Sequence, residues 1–319
     1  MIVTKCPLRL SLVGGSTDLE EFIRYNGRGS VISFPCNLYV YITLHANNRD
    51  KFIINYTKNE EVSDILDIQN DIAREVMLYF SQSHNLPKLT ISFKSDVFSE
   101  GSGLAASSAY VIALIKALCL YTGKTMSAIE TCELALHLER RFNGLTGYQD
   151  SYGCGMPNLK RMVFVSGARF PEFQYFDSRI FDRFNLFLVY TGVTRSSTKI
   201  LKSLDLEKCK NLLEGVNKMT EALNANSDRE FIQEINNSWE YKKQTSDQIM
   251  NGNLLKIEQS ISDILDKSRE GFKLCGAGGG GYFLVFTAAT NISGGKTLKE
   301  RMGAIPIKLD DTGVYGVVI

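Results

Sequence analysis

Three glycine-rich stretches and a few charged side chains carry the chemistry legible in this sequence. The stretch "EGSGLAASSAYVIALIKAL" (100–118) runs small residues straight into an apolar helical stripe. The first turn of a helix leaves backbone N–H groups unpaired and carries partial positive charge, so a loop without bulk there suits an anion. A plain turn and capped helix is the simpler alternative. No lysine follows the glycines, which excludes GxxxxGK[ST], and Gly101 and Gly103 lack the third glycine of a dinucleotide fingerprint. Ser107 and Ser108 supply hydroxyls. Earlier, "PLRLSLVGGSTDLEEF" (7–22) is a strand ending in Gly14-Gly15, with Asp18 at the start of a helix and Thr17 or Asp18 as its N-cap. Arg9 interrupts that apolar strand, where an unpaired charge is costly, and must face a partner or a wet cleft. The last stretch, "CGAGGGGYF", has five glycines in residues 276–281. A hairpin turn needs one or two, so close approach of this backbone to a ligand or to another loop is expected.

A fourth segment, "LHLERRFNGLTGYQDSYG", supplies Glu139 near a helix end and Asp150 in the glycine-flanked loop beyond it. Glycine-bound phosphates, a hydroxyl for Mg²⁺, a carboxylate for the metal and another near the reacting hydroxyl are the parts of phosphoryl transfer.

Composition narrows the rest. The 319 residues, 44% hydrophobic and 22% charged, allow one large or two ordinary globular domains. A formal net charge of +1 gives no footprint for nucleic acid. No apolar run reaches the ~18 residues of a membrane helix, and the N-terminus alternates like a strand rather than a signal peptide. Seven scattered cysteines without CxxC spacing read as free thiols of a cytoplasmic protein. Three histidines give poor support to a His-based metal site or catalytic triad, and His137 reads as packing or surface.

The elements that position these residues follow from hydrophobic periodicity. Residues 2–13, 30–45, "KFIINY" and "KLTISFKS" read as strands, and "DILDIQNDIAREVMLYF" as helical. Residues 108–121 form a buried helix; Ser127 to Glu130 has capping-box spacing and opens another, reaching about Phe142. "RMVFVSG" and "FNLFLVYTG" are strands. Beyond about 185, helices dominate (198–224, 227–249, 254–270), followed by a hairpin and a helix–strand pair. The chain reads as α+β in two lobes, 1–185 and 186–319, with a cleft between them as the site.

In order and spacing, these motifs resemble those of the GHMP small-molecule kinases. "PLRLSLVGGSTD", "ERRFNGLTGYQDSYG", "GVTRSS" and "NNSWEYKK" most resemble the branch of D-glycero-D-manno-heptose 7-phosphate kinases and L-fucose kinase. The resemblance implies an N-terminal ribosomal-S5-like lobe and a C-terminal ferredoxin-like lobe. It implies that Gly101, Ser102, Gly103, Leu104, Ala105, Ala106, Ser107 and Ser108 bind ATP, with Ser107 or Ser108 and Glu139 holding Mg²⁺. Asp150 corresponds to the catalytic aspartate and Arg9 to the basic residue at the reacting hydroxyl. Asp18, with the loop Gly14, Gly15, Ser16 and Thr17, is implied in sugar binding, and Gly276, Ala277, Gly278, Gly279 and Gly280 in shaping the cleft. Ala105 and Ser16 stand where the family usually has glycine.

The implied reaction is ATP-dependent phosphorylation of an anomeric 1-hydroxyl, giving a 1,7-bisphosphate from a heptose 7-phosphate. Its place is the synthesis of nucleotide-activated heptose and surface polysaccharide. A substrate already bearing phosphate needs a cationic pocket, for which Arg24, Arg28, Arg195 and Lys242 are candidates. The alternatives are a kinase of an unphosphorylated sugar such as L-fucose, and a non-catalytic nucleotide- or sugar-binding sensor of the same fold. A decarboxylase of the family is disfavoured by the sugar-branch motifs. A small-molecule sugar is the expected partner, with no nucleic acid or membrane, and a homodimer is left open.

Overall fold

The computed structural model describes residues 1–99, 101–194 and 197–319 (of Ser197 the backbone alone), and all that follows concerns these. Its centre is an antiparallel pair of long strands, β1 (Ile2–Val13) and β2 (Arg28–Ala46). Along β1 the period of two sends Leu8, Leu10 and Leu12 into the core, all 0% exposed, and turns Arg9 and Ser11 to the opposite face. Fully burying each such leucine stabilises by about 1.5–3 kcal/mol. Pro35, opposite Arg9, has no N–H to give to the ladder, and the register shifts on both sides of Arg9.

The strands β3 (Phe52–Asn55), β4 (Asn59–Val62), β5 (Leu89–Ser95), β6 (Lys160–Val165) and β7 (Glu172–Tyr175) extend this sheet. Its order is β1-β2-β5-β3-β4, with β6 and β7 branching from β2. A second antiparallel sheet, ordered β11-β8-β10-β9, comprises β8 (Phe184–Tyr190), β9 (Gly271–Leu274), β10 (Tyr282–Ala288) and β11 (Ile305–Ile307). With helical connections between β8 and β9 and between β10 and β11, it has the ferredoxin-like arrangement expected. The last strand, β12 (Tyr315–Val318), leaves this sheet and pairs antiparallel with β1. Residues 186–319 therefore return at their end to the first sheet, where they cover an edge that would otherwise be bare.

The helices are α1 (Glu20–Asn26), α2 (Asp71–Ser81), α3 (Ala106–Thr122), α4 (Ala128–Glu139), α5 (Tyr148–Gly155), α6 (Ser197–Lys202), α7 (Cys209–Asn224), α8 (Asp228–Gln244), α9 (Gly252–Ser262) and α10 (Ile292–Met302). The α3 helix is apolar nearly all round and packs on β1, β2, α4 and α5, as its composition demands. Ser127 and Glu130 form the expected capping box at the start of α4. That helix ends at Glu139, short of Phe142, because Phe142 N–H bonds back to Glu139 O in a tight turn. The long pattern expected over 198–224 is two helices, since the Asp205 carboxylate takes the N–H groups of Glu207 and Lys208 and breaks the ladder between them. The patterns over 227–249 and 254–270 likewise stop early, at Gln244 and Ser262.

One hydrophobic core joins the two halves. It includes Leu8 and Ile112 with Val216, Phe231 and Phe286, and the rings of Phe231 and Phe286 meet edge-on at 5.5 Å. A second cluster lies under the other face of the small sheet, built on Phe187, Trp239 and Phe283. All seven cysteines are buried, and none forms a disulfide. No helix of the described residues is long and apolar enough to cross a membrane.

Candidate active site

A cleft of about 450 Å³ opens where β1, α3 and α5 meet the glycine-rich hairpin between β9 and β10. Arg9, Ser16, Asp18, Glu139 and Asp150 line it, together with parts of the 101–107 loop and with Gly276 and Ala277. Residues far apart in the chain are thus brought to one wall.

Arg9 is 3% exposed yet fully engaged. Its Nε donates to Asp150 Oδ1 at 3.1 Å and its Nη2 to the same oxygen at 2.5 Å. Its Nη1 donates to Gly103 O at 2.6 Å, and its backbone N–H to Leu104 O at 3.1 Å. The side chain expected to need a partner or a cleft has both. Burial opposes its charge, but the Asp150 carboxylate outweighs this and holds the guanidinium above its ordinary range. The strand is thereby clamped to the glycine loop on one side and to α5 on the other. Asp150 lies in the first turn of α5, not in a loop, and the arginine leaves its Oδ2 uncommitted.

The α3 helix begins at Ala106, and its N-cap, Ala105, makes no side-chain cap bond. Its first amides therefore lack the usual partner at the edge of the cleft. Gly101, Gly103 and Ala105 all have positive φ, of 62°, 76° and 61°. Alanine is strained in that region, a consequence of standing where glycine is usual. Leu104 is buried and serves the loop through its carbonyl.

Behind the loop, Ser108 Oγ donates to Glu139 Oε2, and the nearby Ser107 hydroxyl favours the charged form of this carboxylate. Glu139 is 2% exposed, and burial above all, with the Asp150 charge adding, raises it to about 7. Such a carboxylate with two hydroxyls is a hard-oxygen donor set that gains from a cation, and it fits Mg²⁺, which is held by one or two carboxylates and completed by substrate phosphates. No group of three or more acidic, Cys or His side chains that could cage a metal occurs among the described residues.

Asp18 does not cap α1, and neither does Thr17; Leu19 holds that position without a side-chain bond. The Asp18 carboxylate instead accepts N–H from Ser16 and from Gln149, each at 3.1 Å, capping α5 from outside. A Cβ on Gly147 would stand 2.0 Å from Asp18 Oδ2, so only glycine lets the acid in. Burial first, then Asp150, raises Asp18 to about 6. Gly14, Gly15 and Thr17 build this loop rather than line the cleft; Thr17 Oγ1 lies 2.8 Å from Gly14 O and 2.7 Å from Ser30 O. Ser16 has φ of 82° and accepts from the buried Lys242 Nζ at 2.6 Å.

The glycines of the hairpin divide. Gly276 and Ala277 reach the cleft, whereas Gly278 and Gly279 turn against Ile249, and Gly280 against Val193. Their close approach is to neighbouring backbone. Of the candidate phosphate-binding cations, Arg24 is exposed and pairs with Glu20, Arg28 lines a different cavity, and Arg195 lies outside the described residues. Sequence reasoning missed Thr146 and Gln149 in the cleft wall, and also Lys273. That lysine is buried in β9 and donates to Leu12 O at 2.8 Å. Burial is the main cause that lowers it to about 7, and Lys242 and Arg9 act in the same direction.

Residues 71–157 match the family described as GHMP kinases N terminal domain. Over 318 residues the chain is 27% identical to the D-glycero-alpha-D-manno-heptose 7-phosphate kinase of Campylobacter jejuni, covering 91% of this chain and 90% of that protein. It is 25% identical over 324 residues to the L-fucokinase/L-fucose-1-P guanylyltransferase of Bacteroides fragilis, covering 87% of this chain and 34% of that longer protein. The crystal structure of a D-glycero-D-manno-heptose 1-phosphate kinase from Bacteriodes thetaiotaomicron superposes with a TM-score of 0.79 at 21% identity, over 100% of this chain and 99% of that one. Motifs, fold and family match agree: residues 71–157 carry a GHMP kinase N-terminal domain, and the whole chain has the two-lobed fold of the kinases it superposes on.

Proposed function

We propose that the protein is an ATP-dependent sugar kinase acting on the anomeric 1-hydroxyl of a heptose 7-phosphate. The observation that carries this reading is the Arg9–Asp150 pair facing an uncapped α3 N-terminus across one cleft. The first amides of α3 and the small loop 101–105 hold the nucleotide phosphates. Asp150 takes the proton of the sugar hydroxyl as its oxygen attacks the γ-phosphorus and the bond to ADP breaks. Arg9 stabilises the developing oxyanion, and Asp18 orients the sugar. Ser107, Ser108 and Glu139 would hold Mg²⁺, which supplies charge neutralisation between the phosphates. Positioning contributes much of the rate.

The heptose kinases among its relatives support the substrate class, and Lys242, bonded to Ser16 of the cleft wall, is the candidate cation for a sugar phosphate. The match to about a third of an L-fucokinase/L-fucose-1-P guanylyltransferase favours a second reading, an unphosphorylated sugar taken at the same position. A panel of hexoses, heptoses and their phosphates with ATP and Mg²⁺, the product position read by phosphorus NMR, decides between them. Transfer to a heptose 7-phosphate at C1 is expected; preference for fucose moves the assignment, and no transfer to any sugar refutes it.

A further inference from the structure

Arg28 lines a separate cavity of about 260 Å³, shared with Arg161, Lys210 and Asn217. One wall is the face of β2 and β6 whose register, Ser30 against Val163 and Ile32 against Arg161, puts Arg28, Ser30 and Arg161 on the same side. The other is α7, whose residues 210, 213, 214 and 217 fall on one helical stripe.

Arg161 donates to three oxygens: Ser30 Oγ at 3.1 Å, Thr220 Oγ1 at 3.3 Å and Asn217 Oδ1 at 3.0 Å. All three are neutral. Its charge is thus held in place but not neutralised, beside a second arginine. Burial, and then the Arg28 charge, both work against its protonated form. The other charges of the walls are already matched nearby: Lys210 pairs with Glu207 at 2.8 Å and Glu214 with Lys218 at 3.1 Å. The Arg161 fork, fixed on one side by hydroxyls and an amide, and the Arg28 fork beside it match the oxygens of a phosphate group, and the small volume excludes a large ligand.

We propose that this cavity is a second anion site, taking a phosphate group, free or as a small monoester, between Arg161 and Arg28. It stands independently of every role assigned in the cleft. Ser30, which fixes Arg161, also donates its N–H to Thr17 Oγ1 at 3.1 Å, so the bound anion would sit directly behind the loop that carries Asp18.

Inorganic phosphate is titrated into isotope-labelled protein at ionic strength held constant with chloride, following the amides of Val163, Lys210 and Asn217. Saturable shifts are expected. They should weaken about tenfold or more in Arg28→Gln, an exposed position where folding is not at stake, while phosphate-induced shifts at Ser102–Ser107 stay unchanged. Arg161→Lys, which keeps the charge but loses the fork, should weaken them as well. Glycerol 2-phosphate in parallel separates the sources: tighter binding than phosphate supports a monoester, equal or weaker binding the free ion. Shifts that never saturate, that chloride reproduces, or that Arg28→Gln leaves intact would overturn the site.

Discussion

Gly281, in the hairpin of the small sheet, lies against the carbonyl of Ser102 in the glycine-rich loop: a Cβ there would stand 2.3 Å from that oxygen. Its φ of 93° also disfavours any other residue. Two of the glycine-rich stretches are therefore fitted to each other. Gly281→Ala should push the loop back from the cleft, destabilise the fold by about 1–3 kcal/mol, and raise the KM for ATP well before kcat changes. Thermal unfolding and steady-state kinetics test this; unaltered KM would separate the hairpin from nucleotide binding.

Ala105→Gly acts in the opposite direction. Relief of the left-handed strain at φ 61° should stabilise the protein by up to about 1 kcal/mol, with ATP binding kept or improved. Ser16→Gly also relieves strain but removes the acceptor of Lys242, so its gain should be smaller. Equal shifts in Tm for the two variants would deny any contribution from the Ser16–Lys242 bond.

Asp150→Asn should lower kcat by several orders of magnitude while ATP still binds. It also leaves the buried Arg9 without its counter-charge, a loss of about 3–5 kcal/mol when one partner of a buried pair is removed. A double variant, Arg9→Met with Asp150→Asn, should recover much of that stability and none of the activity. Near-normal turnover of Asp150→Asn would remove the residue from the chemistry.

Glu139 is raised from 4.5 to about 7 in the folded protein. Between those values the unfolded chain has released the proton that the native state still holds, so stability falls as pH rises from about 4.5 to 7, by at most about 3 kcal/mol. Glu139→Gln should flatten this slope without Mg²⁺ present and, in activity assays, raise the Mg²⁺ concentration needed. Denaturant midpoints across that pH range and metal titrations check both. An unchanged slope and an unchanged Mg²⁺ requirement would argue against the ligand role.

Lys242→Met should raise the KM for a phosphorylated sugar about tenfold or more, and leave that for an unphosphorylated one nearly unchanged. Equal effects on both substrates would point to a structural role through Ser16.

Much of this site could be read before any coordinates. Arg9 stood out as a cation in an apolar strand, and Glu139, Asp150 and the small-residue loop by their types and order. The same rule applied to "GFKLC" would have flagged Lys273, and applied to "NLKRMVF" it would have flagged Lys160. The buried Lys160 Nζ reaches Met156 O at 2.7 Å and closes the end of α5. What the sequence hid was set by distant contacts. The helix boundaries moved because Asp205 and Phe142 made local turns, and Asp18 became a cap for α5, 131 positions away. Arg28 has the right charge for a substrate phosphate, but the register of β2 and β6 turns it elsewhere. Side-chain type reports charge; only register reports direction.

The pairing of β12 with β1 has a kinetic consequence. A strand synthesised long before its partner, with Arg9 in its middle, must wait for residues 315–318 to finish its sheet. Such distant contacts slow folding, and until they form the exposed edge invites association with other chains. Arrested or truncated products lacking that segment should be the ones that demand chaperones.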